Sequence, residues 1–557
     1  MRGFSILIGG LGAAMLAGPA LAQQPSTEEL LRKIDALQRR VEELESRDRT
    51  KPARGAQAHH AVAASAPAVP KSATSAKAAP AIASAAPSAA ATIPPATASA
   101  AAPAPPAAPF ETTVSGLMPP EPMGNQFSVE DALRSDLPGL SMRIPGTQSQ
   151  VRLYGFAKVS AWGDFNGRNQ TDVPTAQTIP LNNSAAATQG GDFGMTARFS
   201  RFGIDTRTLT SWGTLETRLE GDFGGGSPTS SNALFRLRQA WAELGDESFR
   251  VLIGQANSLW NEGVIETLID ATNLNQSFIR QPQVRVTGRL APGLTGQVSF
   301  EAPETQYTSA AGVFTPSSSV TGSPSPAFDS APDLLGRLTY RNDGLVMDMR
   351  GLLRDLSIRT AGTAAAPPGL TRNAAGWGLA AHARVPMRWV SDVFGPDELM
   401  GMAYYGQGIG RYFSGNTFGQ DAQSNIGLPG TSTSFSFNPL PTYGVIGAYR
   451  HFWLPQLRTN ISYAYARQDY PSYALQFAPG SASALALNRD MQQVFVNLIW
   501  SPFGEVRDGV FGSGWLDVGL EYVYTRRDLF GGSAAAGSAG SGLGVANRIL
   551  AAAVGRF

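Results

Sequence analysis

From residue 151 onward, this chain alternates apolar and polar residues with a period of two, and this pattern limits the folds open to it. In residues 214–223, Leu219 and Phe223 fall on one side of an extended chain, while Glu220 and Asp222 fall on the other. The same alternation recurs in residues 202–207, 284–290, 333–340, 345–354, 457–465 and 516–525. Strands with one apolar and one charged face are typical of a transmembrane barrel, whose outside meets lipid and whose inside meets water.

A soluble β-sandwich also alternates, so the connections between the segments decide between the two folds. Tight connections occur at residues 211–213, 245–248, 341–344 and 454–456. Long connections rich in Gly, Ser and Thr occur at residues 165–196, 303–331, 357–373 and 467–487. Short turns at one rim and long loops at the other favour an outer-membrane barrel. The last segment alternates and closes on Phe557, which resembles the assembly signal of such barrels.

Counting alternating segments predicts an all-β transmembrane β-barrel of about 16 antiparallel strands over residues 151–557. Two segments, residues 376–385 and 400–412, alternate less clearly than the others. A barrel of this size has a lumen wide enough to hold water.

The first residues predict export from the cytoplasm. Residues 1–22 read as a signal peptide, with Arg2, an apolar core from Phe4 to Leu16 and a cleavage site that ends at Ala22. No other uninterrupted apolar run is long enough for a spanning helix. We therefore expect the Gram-negative cell outer membrane as the destination, with outer-membrane lipid around the barrel and the N-terminal region in the periplasm.

Residues 26–47 repeat apolar side chains in alternating steps of four and three. The seam consists of Leu30, Ile34, Leu37, Val41 and Leu44. This predicts a periplasmic α-helical coiled coil, and β-branched residues alternating with Leu favour two strands. A single amphipathic helix lying on the barrel is the alternative.

The segment between this helix and the barrel is predicted to have no core of its own. Residues 51–109 are almost entirely Ala, Pro and Ser, which predicts a disordered linker. Residues 110–150 continue as linker with a short helix of unclear packing.

Arginine dominates the basic residues of the barrel, where Lys158 is the only lysine. The alternation places ten arginines toward the lumen, where they could contact solute: Arg201, Arg207, Arg218, Arg236, Arg238, Arg285, Arg289, Arg337, Arg350 and Arg354. A guanidinium stays charged and can bind a carboxylate or phosphate through two hydrogen bonds at once. The pattern predicts passive diffusion of small hydrophilic, anionic solutes. The alternative is that these arginines pair with neighbouring acids and line an unselective lumen.

The connection after the fifth segment, residues 258–281, differs from the other long connections because it has apolar residues to bury. It carries Glu262, Glu266 and Asp270, and Arg280 follows them. We predict that it folds into the lumen as a constriction loop whose acids face wall arginines. A surface-packed or partner-binding loop is the alternative.

Composition argues against several other functions. The formal net charge is +1, which gives no sign of a nucleic-acid partner, and the chain has no cysteine. The four histidines lie far apart in sequence and lack metal-ligand spacing. The sequence therefore predicts no enzyme activity, no metal site and no cofactor.

Several motifs resemble those of the DcaP-like trimeric outer-membrane porins. They are Ile144-Pro145-Gly146-Thr147, Leu153-Tyr154-Gly155-Phe156, Ser200-Arg201-Phe202-Gly203, Glu220-Gly221-Asp222-Phe223 and Arg280-Gln281-Pro282-Gln283. The resemblance implies a homotrimer, a periplasmic coiled coil and uptake of small dicarboxylates. It also implies that Arg201, Arg218, Arg236, Arg238 and Arg285 contact solute. The linker is longer and more biased in composition than the family implies.

Two other functions remain open from the sequence alone. One is a porin selective for phosphate or sugar. The other is a structural tether between the outer membrane and the cell wall, in which the basic Ala/Pro arm lies against peptidoglycan.

Overall fold

The computed structural model describes residues 135, 137, 139–167, 172, 179–226, 233–261, 265–268, 274–316, 319–320, 323–360, 369–413, 419–431, 434–503 and 515–557. The predicted signal peptide, coiled coil, linker and short helix lie outside the described residues.

Sixteen strands of the described residues close into one antiparallel barrel, which confirms the predicted strand count. Each strand pairs with its neighbour along the chain, and β16 closes the ring against β1, where Val554 lies opposite Lys158. The strands are β1 Ser149–Asp164, β2 Arg201–Thr210, β3 Gly213–Gly225, β4 Leu234–Gly245, β5 Phe249–Asn257, β6 Arg280–Ala291, β7 Leu294–Glu301, β8 Asp333–Asn342, β9 Leu345–Arg359, β10 Thr371–Pro386, β11 Glu398–Gln407, β12 Pro441–Leu454, β13 Leu457–Gln468, β14 Asn488–Trp500, β15 Leu516–Leu529 and β16 Leu543–Arg556.

The period-two pattern produces two faces with opposite character. On β3, Leu219 is 53% exposed on the outside, whereas its neighbour Glu220 is 1% exposed on the inside. On β15, Leu520 is 59% exposed and Glu521 is 2% exposed. The outside of the barrel is therefore an apolar surface for lipid, and the charged side chains are turned inward.

Most connections sort by length to opposite rims, as the sequence predicts, and the exceptions are residues 387–397 and 501–515, which are long but follow even-numbered strands. Two-residue turns join β2 to β3, β6 to β7, β8 to β9 and β12 to β13. Long connections follow the odd-numbered strands and hold most of the short elements: the strands Asp192–Thr196, Tyr307–Ser309, Gly312–Phe314, Ser319–Val320, Ser323–Pro324, Ala327–Phe328, Ala422–Ser424 and Phe437–Pro439, the α-helices Ala482–Leu485 and Gly532–Ala536, and the 3-10 helices Ala186–Thr188, Gly410–Phe413, Ser472–Gln476 and Gly537–Ala539. We call the two ends the short-turn rim and the long-loop rim.

The barrel begins earlier than residue 151. Strand β1 starts at Ser149, and the short strand Leu140–Arg143 pairs with its first residues through a turn. Since β16 reaches only to Phe156 of β1, this hairpin continues the sheet beneath the end of β16 and pairs backbone groups that would otherwise be exposed there.

The eleventh segment ends earlier than its alternation suggests. The sequence extends it to Tyr412, but β11 ends at Gln407. Gly408 then adopts a left-handed φ of 71°, which turns the chain, and Gly410–Phe413 forms a 3-10 helix. No helix of the described residues is long and apolar enough to span a membrane.

Candidate functional site

The ten predicted lumen arginines lie on the inward rows of their strands. On β2 and β3, register places acids and arginines opposite each other: Arg201 with Asp222, Asp205 with Arg218, and Arg207 with Glu216. Opposite charges across neighbouring strands stabilise a sheet, so pairing must be examined before any arginine is assigned to solute.

Arg218 stands in the lower part of this wall, toward the short-turn rim, and is fully paired. Its Nε and Asp205 Oδ1 are 2.8 Å apart, and Arg152 binds the same carboxylate. The Tyr154 ring lies between the two guanidiniums, 5.1 Å from Arg152 and 5.4 Å from Arg218. Trp241 contacts Arg218 at 5.5 Å. Two arginines thus share one acid and two aromatic rings.

Nearer the middle of the wall, three arginines surround two acids. Asp222 binds Arg236 at 2.7 Å and Arg238 at 2.6 Å. Glu220 binds Arg238 at 3.2 Å and Arg201 at 3.5 Å. The side chains of both acids are at most 1% exposed.

A fourth arginine, Arg280, joins this group and has no ion-pair partner among the described residues. Its guanidinium makes no hydrogen bond or ion pair with any described residue, and its strongest electrostatic neighbours are Arg238, Arg201 and Arg236, followed by Glu220. Within the described chain, two buried donors nearby, Arg238 Nη2 and Arg201 Nε, also lack a partner. We call this group the arginine cluster: Arg201, Arg236, Arg238 and Arg280 with Glu220 and Asp222. Four guanidiniums against two carboxylates give it a formal charge of +2.

Arg285 is the other arginine of β6 that has no described carboxylate within ion-pair distance, although Glu301 and Glu243 lie near enough to act on it electrostatically. Its Nε and Nη2 donate to Gln283 Oε1 at 3.0 and 2.7 Å, and Nη2 also donates to the carbonyl of Asn257. Arg289, closer to the short-turn rim, lies 3.4 Å from Glu247, and both side chains are exposed. Positive charge therefore concentrates on the middle of β6 and the adjoining strands.

Three of the four remaining predicted arginines, Arg337, Arg350 and Arg354, support loops. Arg337 binds Asp348 at 2.9 Å and donates to the carbonyl of Asn261 at 2.8 Å. Arg350 binds the same Asp348 at 2.9 Å and the carbonyl of Trp260. Their charges are held in place by the wall and by the connection between β5 and β6.

Arg354 holds the connection between β11 and β12 in place in the same way. It binds Asp333 at 3.0 Å and Asp421 at 2.6 Å, and it donates to the carbonyl of Gly408 at 2.8 Å. Arg411, which the sequence analysis did not single out, lies 3.4 Å from the same Asp333.

The connection of residues 258–279 folds into the barrel. Its described residues are buried almost completely, with Trp260 1%, Leu268 1% and Leu274 0% exposed. These side chains form one cluster with Trp162 of β1 and with inward residues of β8 to β16: Leu335, Leu352, Ala380, Met400, Met402, Tyr404, Ile446, Ala448, Ala464, Ala466, Met491, Phe495, Ile499, Val523, Leu550 and Ala552. The loop therefore lies against the far wall, and Arg280 is the first residue of β6 after it.

Glu266 fixes this loop to β12 and β13. Its carboxylate binds Arg458 at 2.5 Å and lies 3.4 Å from Arg450 Nε, and Asn460 donates to it at 3.2 Å. Burial raises the pKa of Glu266, but Arg458 and Arg450 lower it further, and the net shift is downward. Glu266 thus meets arginines on the far side and leaves the arginine cluster uncompensated.

The other two acids predicted for this loop, Glu262 and Asp270, lie outside the described residues. Among the residues that are described, no group of three or more His, Asp or Glu side chains is arranged to hold a metal ion.

Exposure divides the lumen wall in two. Inward side chains on one side remain partly accessible, such as Arg250 at 35%, Glu243 at 16% and Arg152 at 13%. On the other side, Arg458 and Asp517 are 0% exposed. We call the partly accessible inward residues of β1 to β6 toward the short-turn rim the open half of the wall, and the buried inward residues of β8 to β16 the closed half. Glu220, Asp222 and Arg238 of the arginine cluster lie on β3 and β4 but are buried as well.

Sequence reasoning did not single out Arg458 of the closed half, although a signal was present. Arg458 alternates with Leu457 and Thr459 on β13, which places it inward. Arg411 gave no such signal, because it lies in a 3-10 helix rather than a strand.

The comparisons with known proteins agree with this architecture. A sequence profile of the DcaP outer membrane protein family matches residues 137–290. The resemblance to the DcaP porins is confirmed. The outer membrane channel DcaP of Acinetobacter baumannii has the same fold, with a TM-score of 0.54 and 22% identity over 73% of this chain and 97% of that one.

Other similarities are weaker. An anion-selective porin from Comamonas acidovorans has a TM-score of 0.42 and 12% identity, covering 73% of this chain and 100% of that one. OmpT of Vibrio cholerae has a TM-score of 0.41 and 10% identity, covering 74% and 99%. No curated protein matches significantly. The chain has the fold of an outer-membrane porin, and the DcaP match includes β1 to β6.

Proposed function

We propose that this chain is an outer-membrane porin for small anions of the dicarboxylate type, and that the arginine cluster and Arg285 select them. The observation that carries the proposal is the surplus of guanidinium groups on β6 and its neighbours: Arg280 forms no ion pair with any described residue, and the buried donors Arg238 Nη2 and Arg201 Nε are unsatisfied. A buried hydrogen-bond donor without an acceptor costs free energy, and the oxygen atoms of an anion in the lumen would supply the missing acceptor. The N-terminal coiled coil and the cleaved signal peptide remain predictions from the sequence, and the homotrimer remains a prediction from the resemblance.

The selectivity has a physical source in the surroundings of these groups. A positive charge acts more strongly where water is partly excluded, because the effective dielectric constant is lower there. The loop acid Glu266 is bound to Arg458 on the far wall, so it does not cancel the cluster's field. An approaching carboxylate is therefore attracted before it makes contact.

The test removes the two unneutralised charges and keeps side-chain polarity. In the Arg280→Gln, Arg285→Gln double variant, the reversal potential in a salt gradient should move toward that of a cation-preferring pore. The change should shrink at high salt, because the screening length falls from about 10 Å at 0.1 M to about 3 Å at 1 M. The matched control is Arg289→Gln, whose exposed arginine already has an acid partner. An unchanged double variant, or a parent channel that prefers cations, would refute the proposal.

A guanidinium group can bind phosphate as well as carboxylate through paired hydrogen bonds. The parent and variant channels should therefore be tested with both anions. Block of chloride current by succinate at lower concentration than by phosphate supports the dicarboxylate assignment, and the reverse order supports the phosphate alternative. Purified protein that conducts no ions in a planar bilayer would favour the structural tether.

A further inference from the structure

One connection at the short-turn rim is much longer than its neighbours. The five connections that follow β2, β4, β6, β8 and β12 have two or three residues, whereas β10 and β11 are joined by the eleven residues 387–397. We call this stretch the rim segment. It contains two 3-10 turns, Met387–Trp389 and Asp392–Phe394, and the Ser391 side chain caps the second turn by accepting from Val393 N–H.

The rim segment presents apolar side chains to its surroundings. Val393 is 91% exposed, Val390 67%, Trp389 46% and Phe394 38%. Four exposed apolar side chains thus lie within six positions of the chain, and exposed apolar patches mark interaction sites.

Polar contacts hold the rim segment at both ends. At its start, Arg388 Nη2 lies 2.7 Å from Asp343 Oδ1, and Trp389 Nε1 donates to Asp343 Oδ2 at 3.3 Å. At its end, Asp397 accepts from Tyr449 Oη at 2.5 Å and lies 2.7 Å from His451 Nδ1. The apolar surface is therefore built into the fold.

The contacts of Asp397 also show on which side of the wall the segment ends. Tyr449 and His451 alternate with the buried Ala448 and Arg450, so they belong to the outward row of β12. The rim segment ends against the outside of the barrel. There it adjoins outward residues such as Leu399, which is 47% exposed and lies opposite Tyr449.

We propose that the rim segment lies in the inner leaflet of the outer membrane, at the level of the phospholipid headgroups. Its surface continues the lipid-facing band of β11 and β12, and a Trp and a Phe beside an Arg are typical of membrane interfaces. The partner is a glycerophospholipid surface. The segment adds a lipid contact outside the transmembrane strands and fixes the height of the barrel in the bilayer.

The absence of cysteine allows a direct test. Val393→Cys and, as control, Glu247→Cys at the charged β4–β5 turn are labelled with an environment-sensitive fluorophore and reconstituted into phosphatidylethanolamine–phosphatidylglycerol vesicles. The label at position 393 should be quenched several-fold more by a lipid with a nitroxide near its headgroup than by aqueous iodide. The label at position 247 should show the opposite order.

Iodide quenching at position 393 equal to that at 247 would overturn the proposal, because the segment would then face water. Protection from both quenchers would also overturn it, because a second copy of the chain would then cover the surface. As an independent measurement, Val393→Asp with Phe394→Asp should lower the thermal unfolding temperature in vesicles, while Val393→Leu should not.

Discussion

Asn275 shows how one side chain can hold a loop inside a barrel. Its backbone has a left-handed φ of 72°, which is costly for a residue other than glycine. Its Nδ2 donates to the carbonyls of Val445 and Tyr465 at 2.8 and 2.7 Å, and its Oδ1 accepts from Tyr404 Oη at 2.8 Å. Gly444 makes room for it, since a Cβ there would lie 2.8 Å from Asn275 Oδ1.

Replacing Asn275 with Ala should destabilise the barrel and loosen the loop. The buried Tyr404 hydroxyl loses an acceptor, and an unsatisfied buried group costs about 1–3 kcal/mol. The measurement is the thermal unfolding midpoint together with open-channel current noise. Asn183→Ala is the control, because Asn183 also has a left-handed φ, 67°, but is exposed. If both substitutions lowered the unfolding midpoint equally, the loss of stability would come from the left-handed backbone and not from the hydrogen bonds of Asn275.

The alternation of apolar and polar residues predicts which arginines face the lumen, but it does not predict which of them are paired with an acid. Period two places Arg218 and Arg285 on the inward row equally well, because it depends only on the pleat of each strand. Whether a guanidinium is neutralised depends on the strand beside it. Arg218 has Asp205 there, whereas Arg285 finds only Gln283 and a carbonyl. Solute contact by a given arginine remains a proposal for this reason.

Among the structural elements, the loop of residues 258–279 was predictable from its apolar composition, but its side of the lumen was not. The sequence places Glu266 in the loop and Arg458 in β13, 192 positions apart. Their contact depends on the curvature of a closed sheet, which no local pattern encodes. The same holds for Gly410–Phe413, whose Tyr412 and Phe413 rings pack 6.0 and 6.3 Å from Trp260.

Replacing Glu266 with Gln should cost far more stability than the same change at an exposed pair. Arg458 and Arg450 would lose a buried carboxylate, and breaking a buried ion pair typically costs about 3–5 kcal/mol. Glu247→Gln, which removes the exposed partner of Arg289, should cost under about 1 kcal/mol. The free energy of unfolding of each variant provides the comparison, and similar losses would contradict the role of Glu266.

The Glu266 contribution should also depend on pH with a defined sign. Because the folded-state pKa is below the unfolded value, the stabilisation is complete above the unfolded pKa. It is lost as pH falls through the folded-state pKa. The stability difference between parent and Glu266→Gln should therefore narrow in acid.

At the scale of the whole molecule, the number of strands overstates the width of the water-filled path through the barrel. Sixteen strands could enclose a wide lumen, yet two inward connections pack against the closed half. The strand count was predictable because each strand carries its own periodicity. The division of the lumen was not, because it arises from loops meeting distant strands.

Cysteine scanning should reveal this division. Arg250→Cys and Thr287→Cys, on the open half, should react quickly with a charged thiol reagent and change the current. Ala464→Cys and Ala448→Cys, which are 2% and 4% exposed on inward rows of the closed half, should stay unmodified. Fast modification at position 464 in a folded, conducting channel would show that the path runs along both halves.

The division also bears on how such a channel can change under selection. An inward substitution on β8 to β16 falls in a packed interior, so it acts on folding and on the amount of protein in the membrane. A substitution in the open half meets solute-accessible space, so it can alter which compounds enter while the protein is made at its usual level. Cells selected for exclusion of a toxic anion, while still needing the channel's nutrient, should therefore accumulate changes on the first six strands. Cells selected only for exclusion of the toxic anion, with no need for the nutrient, should lose the protein through substitutions anywhere in the closed half.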